Sequence, residues 1–207
     1  MEVTLDYRKV CLVTKGRNVA QIDQLLLKFP QLKIIGENYY PECRDKFLYY
    51  RGLGYECHFL GRLQSNKIKK IVEIADVIQS VDSLPKLLKI EASAADLQKK
   101  IKVLLQVNLG DDTKAGIPIA ELLDFFAKIP WSELKFVEVS GVMTVGFLAD
   151  LGKTEAGFRN LANIYEILRS KYPDLNTLSM GMSDDYQLAL KQGANLLRLG
   201  RYFFEAD

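Results

Sequence analysis

The chain has 207 residues, of which 48% are hydrophobic and 26% charged, and its formal net charge is +2. These values are typical of a globular protein with one substantial core, and the small net charge argues against nucleic acid as a partner. No apolar run reaches the roughly 18 residues that a membrane span requires, so we expect no membrane association. The first residues, MEVTLDYRK, are charged and lack the apolar segment of a signal peptide.

The three cysteines, Cys11, Cys43 and Cys57, form no C-x-x-C pair, and His58 is the only histidine. This content argues against both a disulfide framework and a zinc site. We therefore expect reduced thiols in a cytoplasmic protein that binds no metal.

Short apolar runs alternate with helical patterns along the whole chain, and Gly and Pro separate them. In chain order, these patterns predict a strand at 10–15, a helix at 19–29, a strand at 32–35, a helix at 41–53, a strand at 57–60, a helix at 65–75, a strand at 77–81, a helix from 83 to 99 or 100, a strand at 103–108, a helix at 117–129, a strand at 136–143, a helix at 154–171, a strand at 175–179, a helix at 183–192 and a strand at 196–199. Ser65 and Ser183 are the predicted N-caps of their helices.

Eight strands that alternate with helices indicate a parallel sheet with right-handed crossovers. Eight is also the number of strands that closes a barrel with a filled interior. The sequence therefore predicts an α/β fold, a single-domain (β/α)8 TIM barrel over residues 1–207. A doubly wound sheet is the alternative.

The predicted carboxyl ends of the strands carry polar residues and glycines, and this is the edge where such barrels bind ligands. These ends are Lys15, Asn38, Gly61 with Arg62, Asp82, Asn108, Met143 with Thr144, 179–183 and 198–201. Turns favour Gly, Asn and Ser in any case, so one such ending alone is weak support for a site.

The loops after the last two strands are more specific. Residues 179–183, SMGMS, lie between a strand and a helix, and Gly200 and Arg201 follow the final strand. Small residues allow backbone N–H groups to approach an anion, and barrels often bind phosphate at these two loops. The alternative is that Ser183 only caps the helix.

Arg198 lies between Leu197 and Leu199, so strand alternation places it on the opposite face from both leucines. If the leucines face the helices, the guanidinium points into the barrel and requires a partner. The candidates are a ligand, Asp82 or Glu37.

A lysine at the end of the first strand, a phosphate loop pair and a nearby arginine together resemble a pyridoxal phosphate (PLP) site. The motifs are similar to those of the pyridoxal phosphate homeostasis protein family, single-domain relatives of the alanine racemase N-terminal barrel. They are VTK (13–15), GENY (36–39), HFLGRLQSNK (58–67), SVDS (80–83), QVN (106–108), KxGI (114–117), GVMT (141–144), SMGMSxD (179–185) and RLG (198–200).

The resemblance implies that Lys15 holds PLP as a Schiff base, which requires a neutral amine favoured by desolvation or a nearby cation. It implies that Arg198 supplies that cation and faces the pyridine nitrogen, which would make the ring a poorer electron sink. The phosphate would be held by Ser179, Gly181, Ser183, Gly200 and Arg201, with Asn38 as a further contact.

The chain departs from the family pattern in two places. Only nine residues precede Val10, where the family usually has a further helix, so we expect a short N-terminus. Arg201 stands where the family often has threonine, which exchanges a hydroxyl contact for a cation.

We expect a PLP-binding protein that acts in PLP and amino-acid homeostasis without robust turnover, as a monomer that buffers PLP or delivers it to PLP-dependent apo-enzymes. The first alternative is a weak amino-acid racemase. That chemistry uses the lysine and a tyrosine from a second domain, which the few residues after Leu199 cannot form, so Tyr39 or Tyr202 would have to substitute. The second alternative is a barrel for another phosphorylated metabolite.

Overall fold

Eight parallel strands form a nearly closed barrel in the computed structural model, which describes residues 5–205. These eight strands and one additional short strand, β6, are in chain order β1 (Val10–Val13), β2 (Ile34–Glu37), β3 (Glu56–Phe59), β4 (Val77–Val81), β5 (Ile101–Asn108), β6 (Ile117–Pro118), β7 (Val137–Thr144), β8 (Thr177–Ser179) and β9 (Leu197–Leu199). Their spatial order is β8-β7-β5-β4-β3-β2-β1-β9, and β6 pairs with β5 outside this path. The predicted TIM barrel is confirmed.

The barrel closes between β8 and β9 through Asn195. A single bridge joins Ser179 to Leu196 there. The Asn195 side chain accepts a hydrogen bond from the Leu178 N–H at 2.8 Å and donates one to the Asn176 carbonyl at 2.7 Å. One amide side chain thus replaces part of the missing strand ladder.

Helices cover the outside of the barrel. They are α1 (Val19–Lys28), α2 (Cys43–Gly52), α3 (Ile68–Ile74), α4 (Leu84–Asp96), α5 (Leu122–Lys128), α6 (Leu151–Lys171), α7 (Tyr186–Lys191) and α8 (Arg201–Phe204). The helix α6 begins earlier than predicted because the Asp150 side chain accepts a hydrogen bond from the Lys153 N–H and caps it. The prediction that Ser65 caps a helix is wrong, because Ser65 lies in a 3-10 turn that precedes α3.

The helix predicted at 117–129 is correct only in its second half. Its first two residues pair with Val107 and Asn108 of β5 as the strand β6. Pro118 has an extended backbone, with ψ of 132°, and a 3-10 turn follows it before α5 begins. An apolar pattern alone does not separate such a short strand from a helix start.

Strand alternation divides the core into two regions. Val10, Leu12, Leu197 and Leu199 belong to the main core between strands and helices. A smaller apolar cluster fills the barrel interior and consists of Cys11, Val77, Leu104, Met143 and Leu196.

Two further findings concern residues 5–205, the part of the chain that the structure describes. None of their helices is long and apolar enough to cross a membrane. They contain no group of three or more His, Cys, Asp or Glu side chains that could hold a metal ion. The start of the MEVTLDYRK segment, residues 1–4, lies outside the described residues.

Candidate functional site

A cavity of about 490 Å³ opens at the carboxyl ends of the strands, and we call it the upper cavity. Its volume lies within the roughly 300–1,000 Å³ that is usual for small-molecule sites. Six of the eight predicted site residues line it: Lys15, Asn38, Ser183, Arg198, Gly200 and Arg201. The apolar part of its wall comes from Val13, Leu60, Met143, Val145, Met182 and Phe204.

Lys15 lies just beyond the end of β1, not inside the strand as predicted. The strand ends at Val13, and Lys15 occupies a turn that is closed by a hydrogen bond from the Arg17 N–H to the Thr14 carbonyl at 3.1 Å. Gly16 takes φ of +71° in this turn, a conformation that favours glycine. The Lys15 side chain is exposed.

A buried ion pair supports the backbone immediately before Lys15. The Glu37 carboxylate accepts hydrogen bonds from the Thr14 hydroxyl and from the Lys46 ammonium, both at 2.7 Å. Lys46 also donates to the Thr14 carbonyl at 3.1 Å, and Glu37 is fully buried. Thr14 is therefore held on both its side chain and its carbonyl, which fixes where the neighbouring Lys15 begins.

Arg198 points into the barrel, as the alternation with the two leucines predicts, and only 5% of it is exposed. Its Nη1 donates to the Ser179 hydroxyl at 2.7 Å and its Nη2 to the Thr144 carbonyl at 2.6 Å. Both acceptors are neutral, and burial lowers the pKa of the guanidinium to about 10, partly opposed by the charge of Asp185.

Neither of the two carboxylates predicted as possible partners of Arg198 binds it, while a ligand stays a prediction. Glu37 pairs with Lys46, and Asp82 pairs with Lys86 one helical turn along the chain at 2.7 Å. Both carboxylates thus find a lysine nearby in sequence, which leaves Arg198 to neutral oxygens.

Ser179 and Gly181 support the upper cavity without being among the described residues that line it. Ser179 is fully buried and binds Arg198. Gly181 has φ of +100°, and a Cβ there would lie 2.7 Å from the Cβ of Ala189, so only glycine fits. The structure gives both residues a packing and hydrogen-bonding role behind the cavity wall.

The Ser183 hydroxyl accepts a hydrogen bond from the Tyr202 N–H at 3.1 Å. This bond joins the loop after β8 to the loop after β9. The expectation that Ser183 caps a helix is wrong, because three turn residues separate Met182 from the start of α7 at Tyr186. Arg201 forms an exposed ion pair with Asp184 across the same two loops.

Asn38 carries a buried side-chain oxygen, Oδ1, that has no hydrogen-bond partner among residues 5–205. A buried unpaired oxygen on a cavity wall is costly unless a ligand or water donates to it. Gly200 lies opposite β1, and a Cβ at this position would come within 2.9 Å of the Val13 carbonyl. A small residue, Gly200, and a free hydrogen-bond acceptor, the Asn38 Oδ1, therefore both occur in the lining of the upper cavity.

The sequence did not reveal Arg17, Phe204 and Glu205 as cavity residues. Arg17 forms an ion pair with Glu205 at 3.3 Å and lies over the Phe204 ring at 5.0 Å. Phe204 and Glu205 follow the last predicted strand, where no periodic pattern remains. The position of Arg17 two residues after Lys15 was the only available signal.

Comparison with known proteins shows which family this chain resembles. Residues 18–206 match the model of the alanine racemase N-terminal domain family. The pyridoxal phosphate homeostasis protein of Pasteurella multocida is 34% identical over 177 residues, which cover 83% of this chain and 75% of that protein. The Escherichia coli protein of the same name is 32% identical over 176 residues, with 83% and 74% coverage. The chain belongs to the pyridoxal phosphate homeostasis protein family.

One solved structure that is similar to this chain contains PLP. The structure of PipY from Synechococcus elongatus with PLP bound has a TM-score of 0.84 and 32% sequence identity. The alignment covers 97% of this chain and 94% of PipY. The barrel and the strand ends that form the upper cavity therefore have a counterpart of nearly the same length.

Proposed function

We propose that this protein binds PLP in the upper cavity, holds it as a Schiff base on Lys15, and acts in PLP and amino-acid homeostasis without robust turnover. In this proposal a cytoplasmic monomer buffers PLP or delivers it to PLP-dependent apo-enzymes. The main observation in support is that Lys15, Arg198 and the two loops after β8 and β9 line one cavity. The homeostasis proteins of similar sequence and the PLP-bound PipY structure support the choice of cofactor.

The residues of the upper cavity fit a phosphorylated aldehyde. When bound, PLP supplies an aldehyde that condenses with a primary amine and releases water, and the amine of Lys15 is exposed to the cavity. Arg17 and Arg201 line the same cavity and are the guanidinium groups proposed for the phosphate, which would share them with their carboxylate partners Glu205 and Asp184. Arg201 is the first residue of the short helix α8.

Arg198 is the residue that favours storage over turnover. Its pKa is lowered to about 10, so the guanidinium stays charged at neutral pH. We assign it to the pyridine nitrogen, which a guanidinium leaves unprotonated because it donates hydrogen bonds without giving up its proton. An unprotonated ring withdraws electrons weakly, and this disfavours the carbanion chemistry of a racemase.

The racemase alternative finds less support in the geometry. Neither of the two candidate tyrosines, Tyr39 and Tyr202, is among the described residues that line the upper cavity. Tyr39 is 58% exposed, and Tyr202 packs on Tyr186 at a ring distance of 5.4 Å. A second base would have to approach from another position.

The cytoplasmic part of the proposal is supported by the cysteines. Cys11, Cys43 and Cys57 are all free and buried. Burial raises the pKa of each thiol, which keeps it in the less reactive protonated form. Reduced thiols are typical of a cytoplasmic protein.

The test is an absorption spectrum after incubation with PLP, followed by borohydride reduction and peptide mass mapping. We expect a visible band and one reduced adduct, on Lys15, which Lys15→Ala abolishes. Lys69→Ala is the matched control, because the Lys69 side chain is 59% exposed on α3. An adduct spread over surface lysines, or the absence of a band, would contradict the proposal and favour another phosphorylated ligand. A turnover assay with both enantiomers of an amino acid separates the carrier from the racemase.

A further inference from the structure

Four polar side chains form a continuous chain of hydrogen bonds through the barrel interior. The Arg198 Nη1 lies 2.7 Å from the Ser179 Oγ. The Ser179 Oγ lies 2.8 Å from the Gln79 Oε1, and the Gln79 Nε2 lies 2.7 Å from the His58 Nδ1. We call these four residues the relay. All four are at most 5% exposed, so water does not compete for these bonds.

The hydrogen-bond direction along the relay follows from its first member. A guanidinium only donates, so the Ser179 oxygen accepts from Arg198 and its hydroxyl is left to donate to the Gln79 carbonyl oxygen. The Gln79 amide nitrogen then faces His58 and must donate. His58 therefore accepts through Nδ1 and carries its proton on Nε2.

The far end of the relay lies on a second cavity. This lower cavity has a volume of about 210 Å³ and is lined by His58, Glu56, Lys102 and other residues at the amino ends of the strands. The His58 Nε2 has no hydrogen-bond partner within residues 5–205 and lies 3.6 Å from the Glu56 carboxylate. The imidazole lowers the pKa of that carboxyl, and desolvation opposes this effect.

We propose that His58 and Gln79 are positioning residues for Arg198, which they hold in its cavity-facing orientation through Ser179. The Gln79 amide could otherwise rotate, because its oxygen and nitrogen have almost the same shape. A rotated amide would present an N–H to Ser179, whose oxygen would then face two donors while its own hydroxyl lost its acceptor. His58 prevents this rotation from the opposite end of the barrel.

The direct test is the tautomer of His58, which is the only histidine of the chain. Selective ¹⁵N-histidine labelling therefore gives the nitrogen signals of one ring. In the protein without PLP we expect an unprotonated Nδ1 and a protonated Nε2. Ser179→Ala, which interrupts the relay, should change the Nδ1 signal, whereas Ser93→Ala should not. Ser93 is a matched control because it is a buried hydroxyl that donates to the Lys89 carbonyl on α4, outside the relay and both cavities.

A second test rests on the proposed function and compares two replacements of His58. In His58→Asn the amide reaches the position of Nδ1 and restores an acceptor for Gln79. In His58→Gln the amide reaches only toward Nε2. We expect His58→Asn to keep the PLP affinity within about twofold and His58→Gln to lower it about tenfold, as for loss of one buried hydrogen-bond partner. The PLP absorption band should shift in the second variant only.

A purely structural role predicts the opposite order, because glutamine fills the space of histidine better than asparagine does. A proton on Nδ1, or equal PLP affinities of the two variants, would overturn the proposal. If the unaltered protein gives no PLP band, the proposed function fails, while the tautomer measurement still decides the relay.

Discussion

Replacement of Lys46 by methionine tests the support beneath Lys15. Glu37 is fully buried, and its carboxylate lies 2.7 Å from the Lys46 ammonium. Lys46→Met removes the cation and keeps most of the apolar stem. The carboxylate would retain the Thr14 hydroxyl, while its second oxygen, Oε2, already has no partner among residues 5–205.

The expected loss in the free energy of unfolding is about 3–5 kcal/mol, the usual cost of a buried charge left without its partner. With a urea m-value of about 2–3 kcal/mol/M, the unfolding midpoint falls by about 1–2.5 M. Urea titration followed by circular dichroism measures this shift. The control is Lys69→Met, whose ion pair with Asp96 at 2.9 Å is exposed, and we expect a change below about 0.5 kcal/mol.

A double variant identifies the cause of the loss. Glu37→Gln combined with Lys46→Met removes the unpaired charge, so it should recover roughly half of the lost free energy. A loss below about 1 kcal/mol in Lys46→Met would equal that of a surface ion pair and refute the reasoning. So would a double variant less stable than Lys46→Met itself, because no unpaired carboxylate would then explain the effect.

Three further substitutions probe the barrel and its loops. Gly141→Ala should lower the free energy of unfolding by about 3 kcal/mol, measured in urea, because a Cβ would overlap the Thr177 carbonyl oxygen on the neighbouring strand. Burial raises the pKa of Asp185, so its contribution to stability is greatest in acid and is lost as the pH rises. The free energy of unfolding of the unaltered protein minus that of Asp185→Asn should therefore be more positive at about pH 4 than at about pH 7. Arg201→Ala removes the cation and its exposed ion pair with Asp184 and adds no hydroxyl, so it should change stability by less than about 1 kcal/mol while weakening PLP binding.

Each of these expectations has a contradicting result. Unchanged stability of Gly141→Ala would mean that β7 and β8 separate easily. A stability difference for Asp185→Asn that grows toward neutral pH would reverse the assigned sign. Unchanged PLP affinity in Arg201→Ala would remove the Arg201 side chain from the proposed phosphate contacts.

The strand and helix periods of the sequence were sufficient for the architecture. Eight apolar runs separated by helical patterns predict a parallel barrel, and alternation around Leu197 and Leu199 places Arg198 inside it. The errors lie at element ends. The first strand stops two residues before Lys15, and α7 starts three residues after Ser183, because hydrogen bonds to distant loops decide these ends.

The partners of the charged residues could be decided only by the tertiary structure. The sequence left three candidate partners for Arg198: a ligand, Asp82 or Glu37. The register of the closed barrel instead places it beside Ser179 and Thr144. Sequence periodicity reports which face of a strand a side chain occupies, but the height of that side chain relative to neighbouring strands depends on barrel closure and strand stagger. The sequence by itself therefore determined the barrel and the residues that point inward, and only the folded barrel determined which of them touch.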